Sequence, residues 1–203
     1  MDTVRIVLAD DQDLVRGGLS ALLALEPDID VVGGAGTGDE LIDVVRRESP
    51  DVALVDIEMP GTDGIEAIAR LNEERTACRF LVVTTFGRPG YLRRAMEAGA
   101  AGFLVKDTPA NRLAEMVRRV AQGYRVVDPA LAADSLAAGI TPLTGREQEA
   151  LRVAARGGPI RQIAKELHLS EGTVRNHLSA AIAKTQAHNR HDAARIARDQ
   201  GWL

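Results

Sequence analysis

Five times within the first part of the chain, a short β-prone apolar run breaks off and gives way to apolar residues at helical spacing. The runs are residues 4–9, 30–35, 52–55, 80–83 and 102–105. The first is followed by Leu14, Gly18, Leu19, Leu22 and Leu25, which share one helical face before Pro27 ends the pattern. The second precedes Leu41, Ile42, Val44 and Val45, stopping before Pro50; the last precedes Leu113, Val117, Val120 and Ala121, with Gly123 behind them. Strands alternating with helices require a parallel sheet whose two faces are both covered, because each crossover lays a helix on the sheet. Right-handed crossovers leave few arrangements for five strands, of which 2-1-3-4-5 is the natural one.

The expected fold is therefore α/β: a five-stranded, parallel, doubly wound, flavodoxin-like domain over residues 1–123. The pattern is lost in the Ala-rich stretch 124–141, which reads as a linker with at most a turn or two of helix. From 142 to 203 only helical signals remain, which predicts a small all-α domain. Thr144-Gly-Arg-Glu147 is a capping box. A short helix from Ile160 to Leu167, a turn at His168-Leu169-Ser170 and a longer helix to Thr185 make a helix-turn-helix pattern, and a last helix spans about 190–200. The formal net charge of −4 conceals an asymmetry: residues 141–203 carry 10 basic and 6 acidic side chains, the remainder 15 and 23. An acidic first part joined to a basic second part points to different partners, a polyanion for the second. No apolar run approaches the roughly 20 residues of a membrane span, and residues 1–5 lack the basic and apolar regions of a signal peptide. Cys78 is the single cysteine, which excludes an internal disulfide and fits a reducing, cytoplasmic setting without membrane insertion.

Ligands of open parallel sheets bind at the carboxyl ends of the strands. Strand 1 ends in Asp10 and Asp11, strand 3 in Asp56, strand 4 in Thr84 and strand 5 in Lys106. Strands 1 and 3 are expected to be neighbours, so three carboxylates meet. Their repulsion calls for a cation, and a hard divalent ion that prefers oxygen, Mg²⁺, fits. A metal, a lysine and a hydroxyl around one carboxylate suit phosphoryl transfer, with Asp56 as the nucleophile that becomes an aspartyl phosphate. A phosphatase or phosphotransferase would need an acid–base carboxylate beside the nucleophile and a substrate pocket; Glu58 is two residues away, but nothing marks a pocket or lid, so the chain is not read as an enzyme. In the second domain, Ile163, Ala164, Leu167, Val174 and Leu178 are the expected core, leaving Thr173, Arg175, Asn176 and Ser179 on the outer face of the longer helix, where such side chains read base edges. Arg161, Lys165 and Lys184 are placed to grip phosphates.

The segments "LADD", "LVDIEMPGTDG", "VVTT" and "GFLVKD", together with "LTGREQEAL" and "IAKELHLSEGTVRNHL", resemble the response regulators of two-component signalling, in the NarL/FixJ subfamily with its LuxR-type helix-turn-helix. The resemblance implies that Asp56 is the phosphoacceptor, that Asp11 is the main Mg²⁺ ligand with Asp10 assisting partly through water, and that Glu58 offers its backbone carbonyl. It implies that Thr84 and Lys106 contact the phosphoryl group and that Phe103 takes the place of the aromatic switch residue beside Thr84. It also implies a sensor histidine kinase as donor, a homodimer when phosphorylated and promoter DNA as target. Two departures stand out: Gly158-Pro159-Ile160 where the family has an apolar residue, Ser and Asn, and Lys184-Thr185-Gln186 where it has Lys-Leu-Gly.

Overall fold

The computed structural model describes residues 3–85, 89–129, 131–133 and 141–203; of Pro89 and Ala110 only the backbone is described. Residues up to 132 make most of one compact unit, and residues 133–203 the bulk of a second.

In the first unit the strands are β1 (Val4–Ala9), β2 (Ile29–Ala35), β3 (Val52–Val55), β4 (Arg79–Thr84), β5 (Gly102–Val105) and β6 (Val126–Val127). The helices between them are α1 (Asp13–Leu23), α2 (Gly38–Glu48), α3 (Gly64–Glu73), α4 (Pro89–Glu97) and α5 (Ala110–Ala121). The sheet order is β2-β1-β3-β4-β5-β6, and every pairing is parallel. All four residues of β3 are buried, as a central strand covered on both faces demands. Register then places the site: Ala9 pairs with Val55 and Thr84 with Val105, so Asp10 and Asp56 emerge side by side, as do Thr84 and Lys106.

Two features differ from the sequence reading. A sixth strand, β6, lies in the stretch read as linker; Val126 and Val127 pair with Gly102 and Phe103. Two residues are too few to show alternation, and the pairing partner is more than 20 residues away, so no local pattern announces it. The leucine stripe of α1 also divides. Leu19 and Leu23 pack on the sheet, while Leu14 is 89% exposed, Leu25, just past the helix, 78% and Leu22 46%. Gly17 and Gly18 lie in open space beside them. The result is an apolar face turned away from the domain's own core.

The second unit holds α6 (Gly145–Ala155), α7 (Ile160–Glu166), α8 (Glu171–Lys184) and α9 (Arg190–Asp199). The capping box forms as read: Thr144 accepts from the Glu147 amide and Glu147 accepts from the Thr144 amide. Ser170 caps α8 by accepting from the Thr173 amide at 3.1 Å. Leu151, Ile163, Val174, Leu178 and Ala197 make the core, with Leu167, Trp202 and Leu203 packed against it. Among the described residues, no helix is long and apolar enough to cross a membrane.

Candidate functional site

Each β-strand of the parallel sheet ends at the same rim, and the sequence loads that rim with acids. Asp10 and Asp56 are almost fully buried and Asp11 is exposed; ligand oxygens of the three lie within 4.8 Å of one another. Lys106 reaches in from the end of β5. Its Nζ lies 2.6 Å from Asp10 Oδ2 and 2.8 Å from Asp56 Oδ2, bridging the two buried carboxylates. The remaining oxygen of Asp10 accepts from the Gln12 amide at 2.9 Å, and that of Asp56 from the Ile57 amide at 2.7 Å. Burial pushes the Asp56 carboxyl above its ordinary range, even though Lys106 pulls the other way. Burial alone would lower the Lys106 ammonium; its bonds to Asp10 and Asp56 win and raise it. The donor set is all oxygen and carries three carboxylates against one ammonium, which fits a hard divalent cation.

A glycine just beyond β3 lets the chain approach this closely. Gly64, the first residue of α3, sits so near the Asp56 carbonyl that a Cβ there would stand 2.0 Å from that oxygen. Thr84 is buried at the end of β4, and the Lys106 amide donates to its carbonyl at 2.8 Å. Phe103 is wholly buried in β5. One participant escaped the sequence reading: Arg16 of α1 donates from Nη1 to the Asp10 carbonyl at 2.5 Å and pairs through Nη2 with Asp13. Only its position in the first turn of α1, a few residues after the acid pair, hints at this.

In the helical unit, Arg175, Asn176 and Ser179 are exposed on α8, and Thr173 is half-buried there. Arg175 leans on Glu171 one turn back, at 2.9 Å, and the Thr173 hydroxyl lies 2.8 Å from that of Ser170. Arg161 is exposed on α7. Lys184, expected on phosphate, is instead engaged with Glu147 of α6, its Nζ 2.9 and 2.8 Å from the two carboxylate oxygens. Burial would raise the Glu147 carboxyl, but Lys184 and the Thr144 amide hold it below its ordinary range.

Comparison with known proteins accounts for both units. Residues 6–118 match the response regulator receiver domain, and residues 141–197 match the bacterial regulatory proteins of the luxR family. The transcriptional regulatory protein DesR of Bacillus subtilis (strain 168) is 42% identical over 200 residues, covering 98% of this chain and 99% of DesR. The response regulator RamR of Streptomyces coelicolor is 40% identical over 204 residues, covering 99% and 98%. Among solved structures, the response regulator ChrA of a heme-sensing two-component system superposes with a TM-score of 0.61 at 33% identity, covering 100% of both chains. A receiver fold carrying an acidic rim, followed by a helix-turn-helix, places this chain in the NarL/FixJ family of response regulators, transcriptional regulators that join a receiver domain to a LuxR-type DNA-binding domain.

Proposed function

We propose that Asp56 is the phosphoacceptor of a Mg²⁺-dependent receiver and that its phosphorylation by a sensor histidine kinase drives homodimerisation and promoter binding in the cytoplasm. The observation that carries this is the convergence of Asp10, Asp11 and Asp56 around one point, with Lys106 lying across the two buried acids. Asp10, Asp11, Asp56 and the Glu58 carbonyl would hold the ion, which supplies positive charge against the incoming phosphoryl oxygens. Asp56 attacks phosphorus through a carboxylate oxygen, and the donor's phosphorus bond breaks toward its leaving group. Lys106 then exchanges a carboxylate partner for a phosphoryl oxygen. Thr84 follows the phosphoryl group, and Phe103 of β5 is the switch residue that answers it. The exposed leucines of α1 support that helix, with α5, as the face on which two receivers meet.

The functional division is a receiver whose sheet ends with β6 at Val126–Val127, a linker in the rest of 124–141 and a DNA-binding domain over 142–203. On DNA, α8 enters the major groove. Arg175, Asn176, Thr173 and Ser179 face the bases and Arg161 grips phosphate, whereas the ion pair to Glu147 makes Lys184 a brace for α8 first and a phosphate contact second.

The test is phosphorylation of the full chain by a small phosphodonor with Mg²⁺, read by mass spectrometric site mapping. One phosphate on Asp56 is expected, absent without Mg²⁺ and in Asp56→Asn. Labelling undiminished in Asp56→Asn would refute the assignment.

A further inference from the structure

The receiver site needs its two neighbouring acids, Asp10 and Asp11, to point at one ion, yet only the first is held by its own carboxylate. Asp10 is fixed on every side: its amide donates to the Ala35 carbonyl at 3.0 Å, and its carboxylate is bonded by the Gln12 amide and by Lys106. Asp11 is exposed. It shares a planar peptide with Asp10, so whatever fixes the Asp10 carbonyl fixes the Asp11 amide with it. The group on the Asp10 carbonyl is the Arg16 guanidinium, 2.5 Å away.

The chain makes room for this contact. Gly34 and Gly36 lie at the end of β2, beside the path of the arginine. A Cβ on Gly34 would stand 3.3 Å from Arg16 Cδ and 3.5 Å from Nε, and one on Gly36 3.7 Å from Nη1. The bare Gly34 thus leaves a lane along which the side chain crosses from α1 to the rim, while a Cβ at Gly36 would touch the guanidinium only at ordinary contact distance. Asp13, itself largely exposed, pairs with the far side of the guanidinium and offsets part of its charge.

We propose that Arg16 is a positioning residue for the metal site: by holding the Asp10 carbonyl it sets the peptide between Asp10 and Asp11 and thereby aims the Asp11 carboxylate at the ion. The inference rests on the reading of the acid trio as a Mg²⁺ site. Groups that orient metal ligands from behind commonly change affinity 10- to 100-fold when removed. The lower end applies here, since Arg16 acts on one ligand through the backbone.

The two possible roles of Arg16 have opposite signs, which makes the experiment decisive. Mg²⁺ alone is titrated calorimetrically into the full-length protein, its Arg16→Gln and Arg16→Lys variants, and Gly34→Val, which crowds the lane while keeping the arginine. The expected result is a dissociation constant raised about tenfold in Arg16→Gln, with partial recovery in Arg16→Lys, which can still reach the carbonyl with one donor. Gly34→Val should also bind more weakly. An Arg16→Gln variant that binds Mg²⁺ as tightly as the wild type or more tightly overturns the inference, because a cation that merely repelled the ion would do that on removal. If the Arg16 variants do not fold, wild-type affinity in Gly34→Val overturns it instead. Absence of Mg²⁺ binding by the wild type would overturn the reading of the acid trio itself, and the inference with it.

Discussion

At the scale of single residues, the site depends as much on what is missing as on what is present. Gly64 has no side chain where a Cβ would meet the Asp56 carbonyl at 2.0 Å and Val55 Cγ1 at 2.8 Å. The obstructing oxygen is backbone at the end of a central strand and has nowhere to go. Gly64→Ala is expected to destabilise the receiver by about 1–3 kcal/mol despite the better helix propensity of alanine. It should also slow labelling by a small phosphodonor at a temperature where both proteins remain folded, as shown by circular dichroism. An unchanged labelling rate would mean that the Asp56 backbone tolerates the shift. The polar residues of this rim were legible in the sequence because strand ends are: Asp10, Asp11, Asp56, Thr84 and Lys106 each stand at or directly after the end of an apolar run, and parallel topology brings such positions together. Arg16 was not, because its partner is a backbone carbonyl, which has no sequence signature.

At the scale of elements, helix periodicity located most of the helices to within a few residues, but periodicity cannot say which apolar stripe faces the core when a helix carries two. That is why Leu14, Leu22 and Leu25 read as one stripe with Leu19 and stand outside the fold. Lys184 posed a related problem. A basic residue at the end of a recognition helix reads as a phosphate contact; its pairing with Glu147, 37 positions earlier, is tertiary. The pairing ties the end of α8 to the start of α6. Lys184→Met should leave the buried Glu147 carboxylate without its cation and cost about 1–2 kcal/mol, less than a fully buried pair because Lys184 is partly exposed. The pH dependence has a definite sign. Glu147 has a depressed carboxyl in the folded state, so its contribution is present above the ordinary carboxylate range and lost as pH falls through the folded value. The difference between wild type and Lys184→Met should therefore be largest near neutrality and shrink in acid. Urea unfolding followed by Trp202, the single tryptophan, which packs on this helical core, measures it. An unchanged urea midpoint with a flatter salt dependence of DNA binding would return Lys184 to the phosphate backbone.

At the scale of the whole molecule, an acidic receiver is joined to a basic reading head, and the division of charge along the chain is enough to make that pairing legible in the sequence. One helix-turn-helix contacts few phosphates. Two copies held together roughly double those contacts and read two half-sites spaced by about 10 base pairs or a multiple. Under the proposed function, control by phosphorylation reduces to control of self-association, and the exposed leucines of α1 are the face that reading assigns to it. The most direct test is sedimentation velocity of the full-length protein with Mg²⁺, before and after treatment with a small phosphodonor, alongside Asp56→Asn. The wild type is expected to pass from monomer to dimer on phosphorylation while Asp56→Asn stays monomeric throughout. A wild type that stays monomeric when fully phosphorylated, or an Asp56→Asn protein that dimerises equally under the donor, would contradict control through Asp56.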